Sequence, residues 1–182
     1  MSDLPKRLNL GCGRQKRPDC LNVDVLPELA PDLAWDLDRR PYPLPRHHFE
    51  QIWALDVVEH LASVKAFLEE VHELLAPGGT IEITTPHFSC ANSFTDPTHR
   101  HHLGYFSLDY FTDGHQWNFY SAIRFEIVER VLVFYPSLLD RLVSRFANRR
   151  PALYEKRFAW IFPAWFLIWK LRAVKPASGD AG

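Results

Sequence analysis

Two glycines and a carboxylate stand at positions in the sequence where a nucleotide-like ligand can be held. Leu8–Gly13 has the pattern of a short apolar strand that runs into the turn Gly11-Cys12-Gly13, and a Gly-x-Gly turn lets the backbone approach a ligand closely. Asp24 ends a second predicted strand, 11 residues after Gly13. In nucleotide-binding sheets, a carboxylate at that place accepts hydrogen bonds from ribose hydroxyls.

Further acidic side chains follow the next predicted strands. Asp36, with Leu37 after it, ends the third strand, and Asp56 ends the fourth, shortly before the pair Glu59-His60. Ligands of open α/β sheets bind outside the carboxyl ends of the strands. The sequence therefore predicts that these side chains surround one site.

The polar and aromatic segment 87–118 carries a second group of residues that could do chemistry. Five of the nine histidines of the chain lie in it, and Thr95–His102 has the sequence TDPTHRHH. Histidine suits proton transfer because its unperturbed pKa is about 6.5. We take His99 as the candidate catalytic base for an acceptor hydroxyl or amine, with Asp96 to orient it, and His101 as the alternative base.

Two other interpretations of this segment stay open. In the first, Asp96 and His99 only hold the loop in place through local hydrogen bonds. In the second, the segment binds a metal ion. The ligands would then be drawn from Asp96, His99, His101 and His102, with His87 or His115. Since His101 and His102 are adjacent and no helical i,i+4 pair is present, we assign no metal ligands.

The elements that would position these residues alternate between strands and helices. The predicted strands are Arg7–Gly11, Leu21–Val25, Asp32–Asp36, Gln51–Leu55, Thr80–Thr84 and Phe125–Phe134, and the predicted helices are Ala62–Leu75 and Ser137–Arg149. This alternation predicts an α/β fold with a doubly wound, mostly parallel sheet. Arg14–Cys20 is too short for a crossover helix, so a loop or single turn is expected there.

The remaining segments are less regular. Residues 87–118 are predicted to form a long loop over the strand ends, with one helical turn near Ser107–Phe111. Tyr154–Phe162 is compatible with a helix, and Pro163 would end it. A closing strand is therefore predicted over Phe166–Lys175 rather than a continued helix.

Taken in order, these motifs resemble those of the class I S-adenosylmethionine-dependent methyltransferases, most of all the bacterial "type 11" group. The matching pieces lie between about residues 7 and 86 and are Leu8–Gly13, Asn22-Val23-Asp24, Asp36-Leu37, Asp56–Leu61 and Leu75–Gly79. The resemblance implies a Rossmann-like methyltransferase fold and S-adenosylmethionine as the cofactor.

The resemblance also implies cofactor-binding roles at the strand ends. The residues concerned are Gly11, Cys12, Gly13, Asp24, Asp36, Leu37 and Asp56. The glycine turn would pass under the methionine part, the second-strand carboxylate would hold the ribose, and the third-strand pair would lie at the adenine. The fourth-strand carboxylate would lie near the cationic sulfonium and ammonium groups. Arg14-Gln15 stands where the family often has a third glycine, and this predicts a more open site on that side.

Length and composition fit one domain over residues 1–175, followed by a disordered tail over 176–182. The chain has 182 residues, 47% of them hydrophobic and 24% charged, with a formal net charge of −1. Three cysteines without CxxC spacing argue against a disulfide framework or a thiolate zinc site and favour a cytoplasmic protein. Residues 1–9 lack the apolar stretch of a signal peptide, and the uncharged run Phe158–Trp169 is too short for a membrane span.

Charge is distributed unevenly along the chain. Residues 1–140 hold 12 Lys and Arg against 20 Asp and Glu, whereas 141–175 hold 9 Lys and Arg against one Glu and contain half of the six tryptophans. The segment 154–175 therefore fits peripheral contact with an anionic membrane, or a core or homodimer interface whose aromatic side chains are covered by Lys and Arg stems. The interpretation as a core or homodimer interface is favoured over membrane contact. The acidic body argues against nucleic acid as a partner.

The sequence thus predicts an enzyme that transfers a methyl group from S-adenosylmethionine to a small-molecule acceptor, on oxygen or nitrogen. The acceptor would be a metabolite, a sugar or a lipid. One alternative is a non-catalytic protein that binds S-adenosylmethionine or a nucleotide, which the short first crossover favours. The other is a metal-dependent enzyme that uses the histidine cluster between His87 and His115.

Overall fold

Seven strands form one sheet in the computed structural model, which describes residues 4–175. They are β1 (Arg7–Leu10), β2 (Leu21–Asp24), β3 (Leu33–Ala34), β4 (Phe49–Leu55), β5 (Leu75–Pro86), β6 (Arg124–Val133) and β7 (Phe166–Val174). Their order across the sheet is β3-β2-β1-β4-β5-β7-β6, and of these seven strands β7 runs in the direction opposite to the other six. The predicted α/β fold with a mostly parallel sheet is therefore confirmed. The tail predicted over 176–182 lies outside the described residues.

Within residues 4–175, four α-helices accompany the sheet. They are α1 (Val64–Leu74), α2 (Asn92–Thr95), α3 (Leu138–Arg149) and α4 (Pro151–Arg157). Helix α1 begins at Ser63, whose hydroxyl accepts a hydrogen bond from the Ala66 amide, and its buried face packs into the core. None of the described helices combines the length and apolar character needed to cross a bilayer.

The helix predicted over Tyr154–Phe162 is shifted toward the N-terminus in the structure and covers Pro151–Arg157. Helix α4 starts with Pro151 in its first turn, where a missing backbone N–H costs nothing, and it ends at Arg157. A turn over 158–162 follows, and Tyr154 fixes it by donating its hydroxyl to the Phe162 carbonyl at 2.8 Å.

The predicted closing strand is confirmed. Strand β7 lies between β5 and β6, and its Leu167, Trp169 and Leu171 are almost fully buried. The core interpretation therefore holds for these three side chains, because they are buried within the sheet. Trp160, in contrast, is 69% exposed.

The crossover between β1 and β2 contains no helix, as predicted, and a polar network takes its place. The buried Asn22 amide donates to the carbonyls of Arg17 and Cys20 and to the Asp32 carboxylate, at 2.8–3.1 Å. Its oxygen accepts from the Arg17 amide and from the Asn9 side chain. These bonds hold a loop of ten residues against the sheet without the apolar face of a helix.

We expect Asn22→Ala to lower the free energy of unfolding by about 3 kcal/mol, because several buried polar groups would lose their partners together. Urea unfolding followed by circular dichroism would measure the loss. Asn92→Ala is the matched control, because Asn92 is exposed. An unchanged midpoint for Asn22→Ala would show that the network does not hold the crossover.

Candidate active site

Three neighbouring cavities lie at the carboxyl ends of the parallel strands. The glycine-loop cavity, of about 450 Å³, is bordered by the turn Gly11-Cys12-Gly13 and by Asp56. The carboxylate cavity, of about 560 Å³, is lined by Gly11, Asp24, Asp36, Leu37 and Asp56. The histidine cavity, of about 580 Å³, is lined by Asp56, Glu59, His60, Asp96 and His99. The structure thus brings the residues predicted from the sequence to one edge of the sheet.

The glycine turn has a backbone that other residues adopt only with strain. Gly11 has φ +63°, and a Cβ atom added to it would lie 2.4 Å from Cγ2 of Val57. Gly13 has φ +51°, and the space where its Cβ would stand is open. The first glycine is therefore required by packing, and the second leaves the backbone bare toward the cavity.

Asp24 is 8% exposed, and its carboxylate holds the glycine turn in place through hydrogen bonds. Its Oδ2 accepts from the Gly13 amide at 2.8 Å and its Oδ1 from the Leu26 amide at 3.0 Å. Each carboxylate oxygen has two lone pairs, so both can still accept a hydroxyl from a ligand in the carboxylate cavity. Farther along this cavity, Asp36 accepts from the Asp38 amide and Leu37 is buried.

Asp56 borders all three cavities. It has φ +56°, a left-handed conformation that is strained for a residue with a side chain and that concentrates at functional sites. Its Oδ1 accepts a hydrogen bond from the Thr84 hydroxyl at 2.9 Å, and its amide donates to the Thr84 carbonyl. The carboxylate is therefore held by β5 at the junction of the three cavities.

The charges of the glycine-loop cavity suit a zwitterion. Arg14, Lys16 and Arg17 line the cavity on the side of the short crossover, and Asp56 lies on the other side. An amino acid group placed between them would meet cations at its carboxylate and an anion at its ammonium group. Together with the bare Gly13 and the available lone pairs of Asp24, these residues fit S-adenosylmethionine.

His99 is fixed with one ring nitrogen free. Its Nδ1 lies 3.1 Å from the carbonyl oxygen of Ser93, and because a carbonyl only accepts, Nδ1 carries the proton. The lone pair of neutral His99 is therefore on Nε2. Asp96 does not hold this ring: its Oδ2 is 3.9 Å from Nε2, and its Oδ1 accepts from the amide and hydroxyl of Thr98, which lower the pKa of Asp96.

Glu59 and His60 complete the histidine cavity. Glu59 is 1% exposed, and neither of its carboxylate oxygens has a hydrogen-bond partner among the described residues. Burial, and to a lesser degree the nearby Asp56 charge, raise the pKa of Glu59 to about 7. His60 packs edge-on against His99, with ring centroids 4.7 Å apart, and burial together with this neighbour lowers the pKa of His60.

Sequence reasoning did not assign Glu59 or His60 to catalysis. The pair follows a strand and precedes a helix, where polar residues are common, and only the tertiary packing buries the carboxyl group. The single signal in the sequence was the position of the pair three and four residues after Asp56.

The histidine cluster predicted between His87 and His115 does not assemble. His87 bonds to Ser89 and Glu155, His101 to the Leu61 carbonyl, and His102 to the Ser93 hydroxyl, while His115 packs against Tyr110. Of these rings, His99 alone lines the histidine cavity. The alternative metal set drawn from Asp96, His99, His101 and His102 is therefore not brought together, because hydrogen bonds to Leu61 and Ser93 hold the rings of His101 and His102 outside the cavity. Within residues 4–175, the grouping with metal-ligand spacing is Glu59, His60 and His99, whose ligand atoms lie within 4.8 Å of one another.

Comparison with known proteins agrees with this geometry. Residues 8–127 match the protein family described as "Methyltransferase domain". An S-adenosylmethionine-dependent methyltransferase from Mesorhizobium loti is 19% identical, with 93% of each chain covered and a TM-score of 0.57. One from Archaeoglobus fulgidus is 18% identical, covering 91% of this chain and 85% of that chain, with a TM-score of 0.57.

A third solved structure contains a product of the donor. The N-methyltransferase NodS from Bradyrhizobium japonicum WM9, in complex with S-adenosyl-L-homocysteine, is 16% identical and has a TM-score of 0.54. The alignment covers 93% of this chain and 78% of that chain. No curated protein matches the chain.

The family match covers well over half of the chain and includes Gly11, Asp24, Asp36 and Asp56 at the strand ends. The resemblance to class I methyltransferases is therefore confirmed, and with it S-adenosylmethionine as the cofactor. The chain belongs to the methyltransferase domain family and is a class I, S-adenosylmethionine-dependent enzyme.

Proposed function

We propose that the enzyme methylates a hydroxyl or amine group of a small acceptor bound in the histidine cavity, and that Nε2 of His99 takes the acceptor's proton. The observation that carries the proposal is the hydrogen bond from Nδ1 of His99 to the Ser93 carbonyl, which leaves a lone pair on Nε2. A cavity of about 580 Å³ is of the size that holds small molecules.

The donor would occupy the two adjoining cavities. In this proposal the turn Gly11-Cys12-Gly13 lies along the methionine part and Asp24 accepts the ribose hydroxyls. Asp36 and Leu37 border the adenine. When bound, S-adenosylmethionine supplies an electrophilic methyl group on a cationic sulfur. The Asp56 carboxylate, at the junction of the cavities, would attract that positive charge and orient the methyl group toward the acceptor.

Positioning accounts for most of the rate in such a transfer, because the displacement is in line and needs few catalytic groups. The base matters for a hydroxyl, which must lose its proton to attack well. Asp96 would act from the rim of the cavity, where its carboxylate lies 3.9 Å from Nε2 and stabilises a protonated His99.

A second candidate function differs in how the acceptor is activated. Glu59, with both oxygens unpartnered, and the rings of His60 and His99 have the spacing to hold a divalent cation. Both rings direct Nδ1 at a protein oxygen, the Thr98 hydroxyl and the Ser93 carbonyl, which is how ligating histidines are usually oriented. Such an ion would lower the pKa of an acceptor hydroxyl directly.

Metal analysis separates the two candidates. If His99 acts as the base, the purified enzyme carries far less than one equivalent of divalent metal, and a chelator leaves turnover unchanged. If the second candidate is right, metal is stoichiometric, chelation stops turnover, and Glu59→Gln loses the metal while still binding S-adenosylhomocysteine.

We expect Asp24→Ala to weaken binding of both S-adenosylmethionine and S-adenosylhomocysteine by at least about tenfold, because hydroxyl bonds to a carboxylate are lost. Calorimetric titration measures the change, and circular dichroism checks that the variant is folded. Asp19→Ala is the control, because that carboxylate pairs with Arg7 at the surface. Normal affinity in folded Asp24→Ala protein would refute the ribose assignment.

We expect His99→Ala to lower kcat by about 10²–10⁴-fold and to leave the affinity for S-adenosylhomocysteine unchanged, since the ring removes a proton without touching the donor. His115→Ala, a histidine of the same segment outside the cavity, should keep full turnover. Single-turnover kinetics with an identified acceptor gives the measurement. Equal rates for the two variants would contradict the assignment of the base.

A further inference from the structure

Helices α3 and α4, with the residues that flank them, carry a large apolar surface that the fold leaves uncovered. Its exposed side chains are Tyr135, Leu138, Leu139, Leu142, Phe146, Leu153, Trp160 and Ile161. Four of them are more than 60% exposed: Leu138 at 80%, Leu142 at 64%, Trp160 at 69% and Ile161 at 63%. We call this set the α3–α4 surface.

The exposed apolar residues of α3 form a stripe along one face of the helix, separate from the face that packs into the core. Leu138, Leu142 and Phe146 are spaced by four residues, so they share one face of the helix. Val143 and Ala147 pack into the core from the other face. Contiguous exposed apolar patches of this kind are uncommon on monomeric soluble proteins and mark binding surfaces.

Cationic side chains border the apolar stripe. Arg141, Arg145 and Arg149 repeat every four residues along α3, and α4 and its preceding residue add three more cations, Arg150, Lys156 and Arg157. Within residues 4–175, none of the six forms an ion pair with a carboxylate.

The acidic residues of the two helices are engaged elsewhere. Asp140 accepts from Ser137 at the start of α3, and Glu155 bonds to His87 and to the Tyr105 amide. The surface therefore combines bare apolar side chains with a net positive charge. Amphipathic helices with this composition lie in the interface of bilayers that contain anionic lipids.

The start of the α3–α4 surface lies near the histidine cavity. Val133, the last residue of β6, pairs with Phe166, and Phe166 pairs with Pro86. Phe166 and Pro86 both line the histidine cavity, and Ser137 begins α3 four residues after Val133. On the other side, the ring of Trp160 packs edge-on against Phe88, which follows the end of β5.

We propose that the α3–α4 surface docks the enzyme on the surface of an anionic phospholipid bilayer, with the mouth of the histidine cavity at the lipid–water interface. The apolar stripe would enter the headgroup region while the arginines meet lipid phosphates. A second copy of the chain fits less well, because a twofold interface would bring the six cations of each copy together. The proposal does not depend on the identity of the base or of the acceptor.

Vesicle co-sedimentation of the full chain tests the proposal. The two probes are phosphatidylcholine vesicles and vesicles in which about one third of the lipid is phosphatidylserine, since the anionic surface potential supplies the attraction. We expect binding to the anionic vesicles, weak binding to the neutral ones, and a loss of binding as salt is raised.

Two variants address the two components of the surface. Leu142→Ser with Trp160→Ser should reduce vesicle binding by at least about tenfold, because both side chains would leave the lipid. Arg145→Gln with Arg149→Gln should reduce it by about fivefold for each arginine. Phe119→Ser, which removes a 65% exposed aromatic side chain outside the surface, is the control and should bind like the wild type. Thermal unfolding checks that each variant is folded.

Three results would overturn the proposal. One is the absence of binding to anionic vesicles. Another is equal binding by the wild type and the Leu142→Ser, Trp160→Ser variant. The third is a dimer, seen by analytical ultracentrifugation, that this variant abolishes while vesicles are never bound; the surface would then be an interface between two copies of the chain.

Discussion

The arrangement of the site depends on how closely the ends of β1 and β4 approach each other. Gly11 lies so near Val57 that any side chain at the glycine would force the strands apart. The backbone is left-handed at Gly11 after β1 and again at Asp56, the residue before Val57. Because both strands end at this point, the glycine turn and the Asp56 carboxylate become neighbours at the edge of the cavities.

The shortened first crossover changes how the sheet is covered and what lines the donor site. The side-chain amide of Asn22 is buried and forms five hydrogen bonds, which take the place of the apolar face of a helix. Arg17 covers Trp53, with its guanidinium group 4.3 Å from the ring centroid. The same loop brings Arg14 and Lys16 to the glycine-loop cavity. A segment too short for a helix thereby supplies the cationic side of the donor site.

The placement of the glycine turn and of the strand-end carboxylates at one edge of the sheet could be predicted, because these residues follow strands that the sequence pattern locates. Alternating apolar residues and glycines locate those ends, and parallel strands bring their carboxyl ends to one edge. The arrangement of the histidines could not be predicted in this way. Five histidines lie in one segment, but hydrogen bonds to separate partners, among them Ser93, Ser89 and the distant Leu61, fix their rings in different directions.

The sequence by itself determined the α/β fold, the family and the order of the donor-binding motifs, because strand period and glycine conformation are local properties of the chain. It also limited the first crossover to a loop. Only the tertiary structure decided that His99 lines the histidine cavity, that Glu59 is buried without a hydrogen-bond partner among residues 4–175, and that the C-terminal strand is core while one face of α3 is exposed. Each of these outcomes depends on long-range packing, which places a side chain against residues far away in the sequence.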